Sequence, residues 1–135
     1  MSHSAYSTDE PIVSVWFGTF PDADAHREYF TVRSTPHSNG SETCQFWTDL
    51  GVEWTEPDNE ECSGYIGEPV AVKKLLGDSF SYSESFREAL LAACQSADII
   101  RANLVLLLYG FAYSDREGFR SPFMKFAGAF PYSPE

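Results

Sequence analysis

Ile12-Val13-Ser14-Val15-Trp16-Phe17-Gly18-Thr19-Phe20 is the stretch on which the fold turns. Its apolar residues fall into two sets: Ile12, Trp16 and Phe20 on one face, Val13, Val15 and Phe17 on the other. A strand with one face in water alternates apolar with polar, whereas one that is apolar on both sides is covered on both. The spacing therefore predicts a central strand between two layers. Just beyond it, Pro21, Asp22 and Asp24 form a helix start, since proline presets φ and acids suit the positive end of the helix dipole. Ala25, Tyr29 and Val32 continue at helical spacing, and Thr35-Pro36 with Asn39-Gly40 ends that helix in a loop.

Ser41 is the expected cap of a second helix reaching Leu50, with Gly51 as its stop and Phe46, Trp47 and Leu50 as its apolar side. Residues 52–54 read as a short strand and residues 55–68 as a loop dense in acids and turn formers. Glu68 and Pro69 open a short third helix that Gly77 closes. Ser81-Tyr82-Ser83-Glu84 fits a capping box for a fourth helix. Its stripe runs through Tyr82, Phe86, Ala89, Leu90, Ala93, Cys94 and Ala97 and faces a core. Residues 104–111 and 123–130 read as two apolar strands across a polar turn, hence a C-terminal hairpin, with Met124, Phe126 and Phe130 sharing a face. The sum is an α+β fold: a small, mainly antiparallel sheet of three or four strands packed with about four helices.

The chain has 135 residues, 43% of them hydrophobic and 16% aromatic, enough for one well-cored domain over residues 11–135 behind a flexible N-terminal tail, residues 1–10. Twenty Asp and Glu against nine Lys and Arg give a formal charge of −11. That balance excludes nucleic-acid binding through a basic surface and disfavours anionic membranes. The first residues lack the basic and apolar regions of a secretory signal, and the longest apolar run is far short of a membrane span, so a cytoplasmic location is expected. Cys44, Cys62 and Cys94 form no CxxC pair, which fits reduced thiols, with Cys44 and Cys94 on helix core faces.

The negative charge is concentrated. No Lys or Arg lies between Arg33 and Lys73, and that stretch holds eight acids: Glu42, Asp49, Glu53, Glu56, Asp58, Glu60, Glu61 and Glu68. The rest of the chain is nearly balanced. Trp47, Trp54 and Tyr65 are interleaved with these acids, Trp47 being expected in the core. Charge runs are ordinarily solvated faces. Two points favour an interface instead. An unpaired cluster repels itself and so destabilises the fold, and acids beside Trp and Tyr suit a steered interface with aromatic anchors. The candidate partner-binding set is those eight acids with Trp54 and Tyr65.

Motifs for chemistry are sparse. Gly64-Tyr65-Ile66-Gly67 lacks the lysine of a phosphate loop and the glycine spacing of a dinucleotide site. His3, His26 and His37 include no metal-binding pair, so no cofactor or metal is expected. Asp58-Asn59-Glu60-Glu61 lacks the ligand alternation and central glycine of a calcium loop. Glu53 and Glu56 could form an acid/base pair, but their spacing does not select one. The readings that stay open beside a protein-binding role are a small carboxylate enzyme using a divalent metal, and an acidic DNA mimic that inhibits nucleic-acid-binding proteins.

Several blocks, in order, resemble the immunity protein 22 family of bacterial polymorphic toxin systems. They are the strand Val13-Ser14-Val15-Trp16-Phe17-Gly18-Thr19-Phe20; Phe46-Trp47-Thr48-Asp49-Leu50-Gly51-Val52-Glu53-Trp54; Ser79-Phe80-Ser81-Tyr82-Ser83-Glu84-Ser85-Phe86; the strand over residues 103–109; and Lys125-Phe126-Ala127-Gly128-Ala129-Phe130-Pro131-Tyr132. Together they span about residues 12–132. The resemblance implies a cytoplasmic α+β protein that binds and neutralises a cognate toxin encoded beside it; a monomer or weak dimer is expected. It implies no catalytic residues. It also makes a basic, nuclease-type toxin the expected partner, met by the acidic surface as a phosphate mimic. One departure is the segment after Trp54, which here contains Pro57, Cys62 and two glycines.

Overall fold

Strand β1 (Ile12–Gly18) is hydrogen-bonded on both sides, antiparallel to β7 (Leu104–Tyr109) and to β8 (Met124–Pro131). It is central, as its two apolar faces require. The computed structural model describes residues 10–31, 33–34, 42–43, 45–46, 60–77, 80, 82–113, 121 and 123–133. Within them a four-stranded antiparallel sheet runs in the order β4-β7-β1-β8, where β4 is Glu60–Cys62. Two small ribbons accompany it, β2 (Arg33–Ser34) with β3 (Glu42–Thr43) and β5 (Val70–Ala71) with β6 (Arg101–Ala102). Three helices are described: α1 (Ala23–Phe30), α2 (Val72–Leu76) and α3 (Ser83–Ser96).

The sheet separates two cores, as the two faces of β1 predict. Val13, Val15 and Phe17 pack with Leu76 of α2 and Phe86, Leu90 and Cys94 of α3. Trp16 and Phe20 pack on the opposite face with Tyr29 of α1, Phe46, Leu104, Leu106 and Leu108. Trp16 is fully buried in a nest of rings, 5.4 Å from Phe46 and 5.2 Å from Phe126. Ser14, the polar residue within β1, is also fully buried, and its hydroxyl is satisfied: it donates to the Phe111 carbonyl and accepts from the Tyr113 amide at 2.9 Å. It thereby ties the end of β7 back to β1.

Several expectations need correction. The C-terminal strands do not form a hairpin. Both are antiparallel to β1 and flank it, so β7 and β8 run parallel to each other. Parallel strands need a crossover, which is why the connection between them exceeds a hairpin turn. Nor do Met124, Phe126 and Phe130 share a face. A β-bulge shifts the register between Val15↔Gly128 and Trp16↔Phe126, leaving Ala127 as the extra residue. Met124 and Phe126 therefore join the Trp16 core, while Ala127 and Phe130 join the Val15 core. Gly128 permits the bulge with φ +147°, and a Cβ there would lie 2.7 Å from the Phe130 ring.

The helices begin and end by local chemistry. Asp22 caps α1, its Oδ1 accepting from the Ala25 amide at 2.8 Å, and Thr31 ends it before Val32. The chain then enters β2, and Glu42 is in β3 rather than on a helix. The N-cap of α3 is Tyr82 rather than the expected Ser81. Tyr82 holds the N-cap position in a left-handed conformation with no side-chain cap, and the hydroxyl of Ser85 donates to the Tyr82 carbonyl at 2.6 Å. The buried stripe of α3 is Ser83, Phe86, Leu90 and Cys94, whereas Ala89 and Ala97 are exposed. The short third helix is α2, closed by Gly77 as expected, but Val70 and Ala71 before it are strand. Three helices are described against about four expected; most of the expected helix ending at Leu50, with Cys44 and Trp47, lies outside the described residues. So do residues 1–9, the strand expected at 52–54, Ser81 and the turn at 114–120.

Candidate functional site

Of the candidate partner-binding residues, Asp49, Glu53, Trp54, Glu56 and Asp58 lie outside the described residues. Glu42 is in β3, and Glu60 and Glu61 are in β4. The segment expected as an acidic loop, residues 55–68, thus holds a strand near its middle. It pairs Glu60↔Leu108, Glu61↔Leu107 and Cys62↔Leu106, as one of the two edge strands of the sheet among the described residues. The chain then keeps to β7. The Ser63 amide donates to the Val105 carbonyl at 3.0 Å, and the Ile66 amide to the Asn103 carbonyl at 3.0 Å.

Asn103 holds this edge in place. Fully buried, it donates from Nδ2 to the carbonyls of Phe20 (2.8 Å) and Gly67 (2.9 Å), and it accepts the Phe20 amide on Oδ1 (2.9 Å). One side chain links the end of β1, the start of β7 and the residue before Glu68. Glu68 itself is exposed.

Glu61 and Tyr65 are set against different faces of the sheet. The half-buried Glu61 accepts the Tyr109 hydroxyl on Oε1 at 3.2 Å, on the side of α2 and α3. Tyr109 is 9% exposed. Burial, and then the adjacent Glu61 carboxylate, push its hydroxyl well above the usual tyrosine range, so it stays a donor. Glu61 also lines a groove of about 690 Å³ with Ile66, Lys74, Leu75 and Phe80, so the acids here are not the only charges. Tyr65 packs against the Trp16 core on the α1 side. Its ring stacks on His26 at 5.5 Å with the planes 20° apart. His26 also meets Phe20 and Phe30, and burial among these rings lowers its pKa.

The sequence reading did not anticipate a cluster of three tyrosines beside Glu61. Tyr82 stacks on Tyr132 at 5.2 Å with the planes 17° apart, and Tyr109 meets both rings edge-on at 6.3 and 5.2 Å. Tyr82 is 43% exposed and has φ 61°. The three come from the start of α3, the end of β7 and the residue after β8. Separations this long leave no local pattern, and Tyr82 was absorbed into the expected helical stripe. Among the described residues, no group of three or more His, Cys, Asp or Glu side chains is placed to hold a metal ion, and no helix is long and apolar enough to cross a membrane.

Neither the curated proteins nor the solved structures include a match to this chain. The sequence profile of one family, described as immunity protein 22, matches residues 13–133, from the first buried valine of β1 to just beyond β8. The chain belongs to that family.

Proposed function

We propose that this member of the immunity protein 22 family binds and neutralises a cognate toxin domain, and that the base-free stretch between Arg33 and Lys73 forms the acidic surface that meets it. Family membership over residues 13–133 is the observation that carries the reading. The charge distribution supports its mode. Eight acids without an intervening base favour a basic partner surface, as on a nuclease-type toxin whose substrate is polyanionic. A field of this kind raises association rates above the ~10⁵–10⁶ M⁻¹s⁻¹ of unsteered pairs and is screened by salt.

Within this reading Glu60, Glu61 and Glu68 supply charge from the β4 edge, and Glu42, Asp49, Glu53, Glu56 and Asp58 supply the rest. Trp54 and Tyr65 are the aromatic anchors. The stack of Tyr65 on His26 fixes its ring before binding. The protein acts in the cytoplasm as a monomer or weak dimer, without cofactor or catalysis.

The test is co-expression with the toxic domain encoded beside this chain's gene. The reading predicts restored growth and a complex that survives purification, with an association rate that falls as salt rises. Continued toxicity despite abundant folded protein would contradict it.

A further inference from the structure

We propose that Tyr82 is a docking anchor for an arginine of the partner protein, its ring face receiving a guanidinium that Glu61, bonded to the adjoining Tyr109, and Glu84, two residues on, help to hold in place. The partner's identity rests on the immunity reading; the chemistry of the anchor rests on geometry.

Three features single out this ring. First, Tyr82 is a bulky residue with φ 61°, a conformation such residues avoid and one that proteins retain mainly where it serves a purpose. It does not serve as a helix cap, since its side chain caps nothing. Second, the ring is held on one side by the parallel ring of Tyr132 and at its edge by Tyr109, yet 43% of the residue is exposed. An exposed aromatic that is already oriented loses little freedom on binding. Third, the charge around it suits a cation. Glu84 is exposed in the first turn of α3, where it also offsets the positive end of the helix. Glu61 joins the cluster through the Tyr109 hydroxyl.

Arginine fits this arrangement better than lysine. Its planar guanidinium stacks on an aromatic face while its N–H groups reach carboxylates at the edge, and a lysine ammonium does only part of this. The anchor also extends the interface past Lys73, beyond the base-free stretch.

The test titrates the protein with an acetylated hexaarginine amide and, separately, with its hexalysine counterpart, following the tyrosine ring resonances. Tyr82→Asn removes the ring while suiting a left-handed backbone, and Tyr82→Phe keeps it; the melting temperature of each variant confirms folding. The expected result is that hexaarginine binds about threefold tighter than hexalysine, shifts the Tyr82 and Tyr132 resonances, and loses about threefold in affinity with Tyr82→Asn but not with Tyr82→Phe. Equal binding of the two peptides, or unchanged hexaarginine affinity in folded Tyr82→Asn, would overturn the anchor. Neutralisation of the toxin is read separately: a chain that protects cells yet shows no arginine preference at Tyr82 refutes this inference alone. Hexaarginine docking at Tyr82 without protection refutes the immunity reading alone.

Discussion

The side-chain amide of Asn103 pairs with the backbone of Phe20 as a neighbouring strand would, accepting its N–H at 2.9 Å and donating to its carbonyl at 2.8 Å. Its Nδ2 also donates to the Gly67 carbonyl, fixing the segment that ends at Glu68. Asn103→Ala leaves three backbone groups in this region without that partner. Leaving such groups unsatisfied costs about 1–3 kcal/mol each where they remain buried, so a loss of at least about 3 kcal/mol is expected in urea denaturation. Hydrogen exchange at the Ile66 amide, bonded to the Asn103 carbonyl, checks the locality of the effect and should accelerate more than exchange in α3.

Gly128→Ala tests the bulge in β8. The added methyl meets the Phe130 ring at 2.7 Å on a backbone of φ +147°, so strain and displacement of a core ring combine. A destabilisation of about 2–3 kcal/mol is expected by chemical denaturation. Gly64→Ala is the informative control: its φ is also positive, but a Cβ there meets nothing within 4 Å, so backbone strain acts alone and the loss should be smaller.

His26 gives stability a pH dependence. Burial among Phe20, Phe30 and Tyr65 lowers its folded pKa below the ordinary 6.5, so the unfolded chain binds this proton more readily. Its contribution is therefore fully present above about pH 6.5 and is lost as pH falls below that value. A proton titration of the imidazole by NMR should show a midpoint below 6.5, and His26→Gln should lessen the fall in stability between pH 6.5 and 5. An imidazole midpoint at or above 6.5 would contradict this account of the Tyr65 support.

Cys94 lies in the core between α3 and the sheet, where burial pushes its thiol up to about 11. Because the thiolate is the reactive form, alkylation at pH 8 should be slow in the native protein and fast once it is unfolded. Cys62, exposed at the end of β4, should react first. Peptide mapping after timed iodoacetamide treatment distinguishes the two.

Much of the fold was legible in residues 12–20. The two-faced apolar pattern required a central strand with a layer on each side, and Asp22 announced α1. What was not legible depended on contacts distant in sequence. Residues 104–109 and 123–130 read as hairpin partners because each is apolar, but apolarity does not say which strand lies between them; the claim of β1 on the centre does. Glu60–Cys62 looked like turn because an outermost strand can carry acids. Tyr82 looked like the start of a helical stripe because a left-handed φ has no sequence mark in a tyrosine. The candidate site was legible as charge, since the gap between Arg33 and Lys73 can be counted along the chain. That Glu61 and Tyr65 address opposite faces of the sheet depends on strand register and could not be counted.

The central claim is that this acidity binds the toxin. It is tested most directly by isothermal titration of the neighbouring gene's toxic domain into the wild-type chain and into a variant carrying Glu56→Lys, Asp58→Lys, Glu60→Lys and Glu68→Lys. Glu61 is spared because the Tyr109 hydroxyl donates to it. The account predicts that the folded variant binds at least about a hundredfold more weakly, some 2.8 kcal/mol, and loses most of the salt dependence seen in the wild type. An unchanged Kd in a variant with the wild-type melting temperature would contradict it.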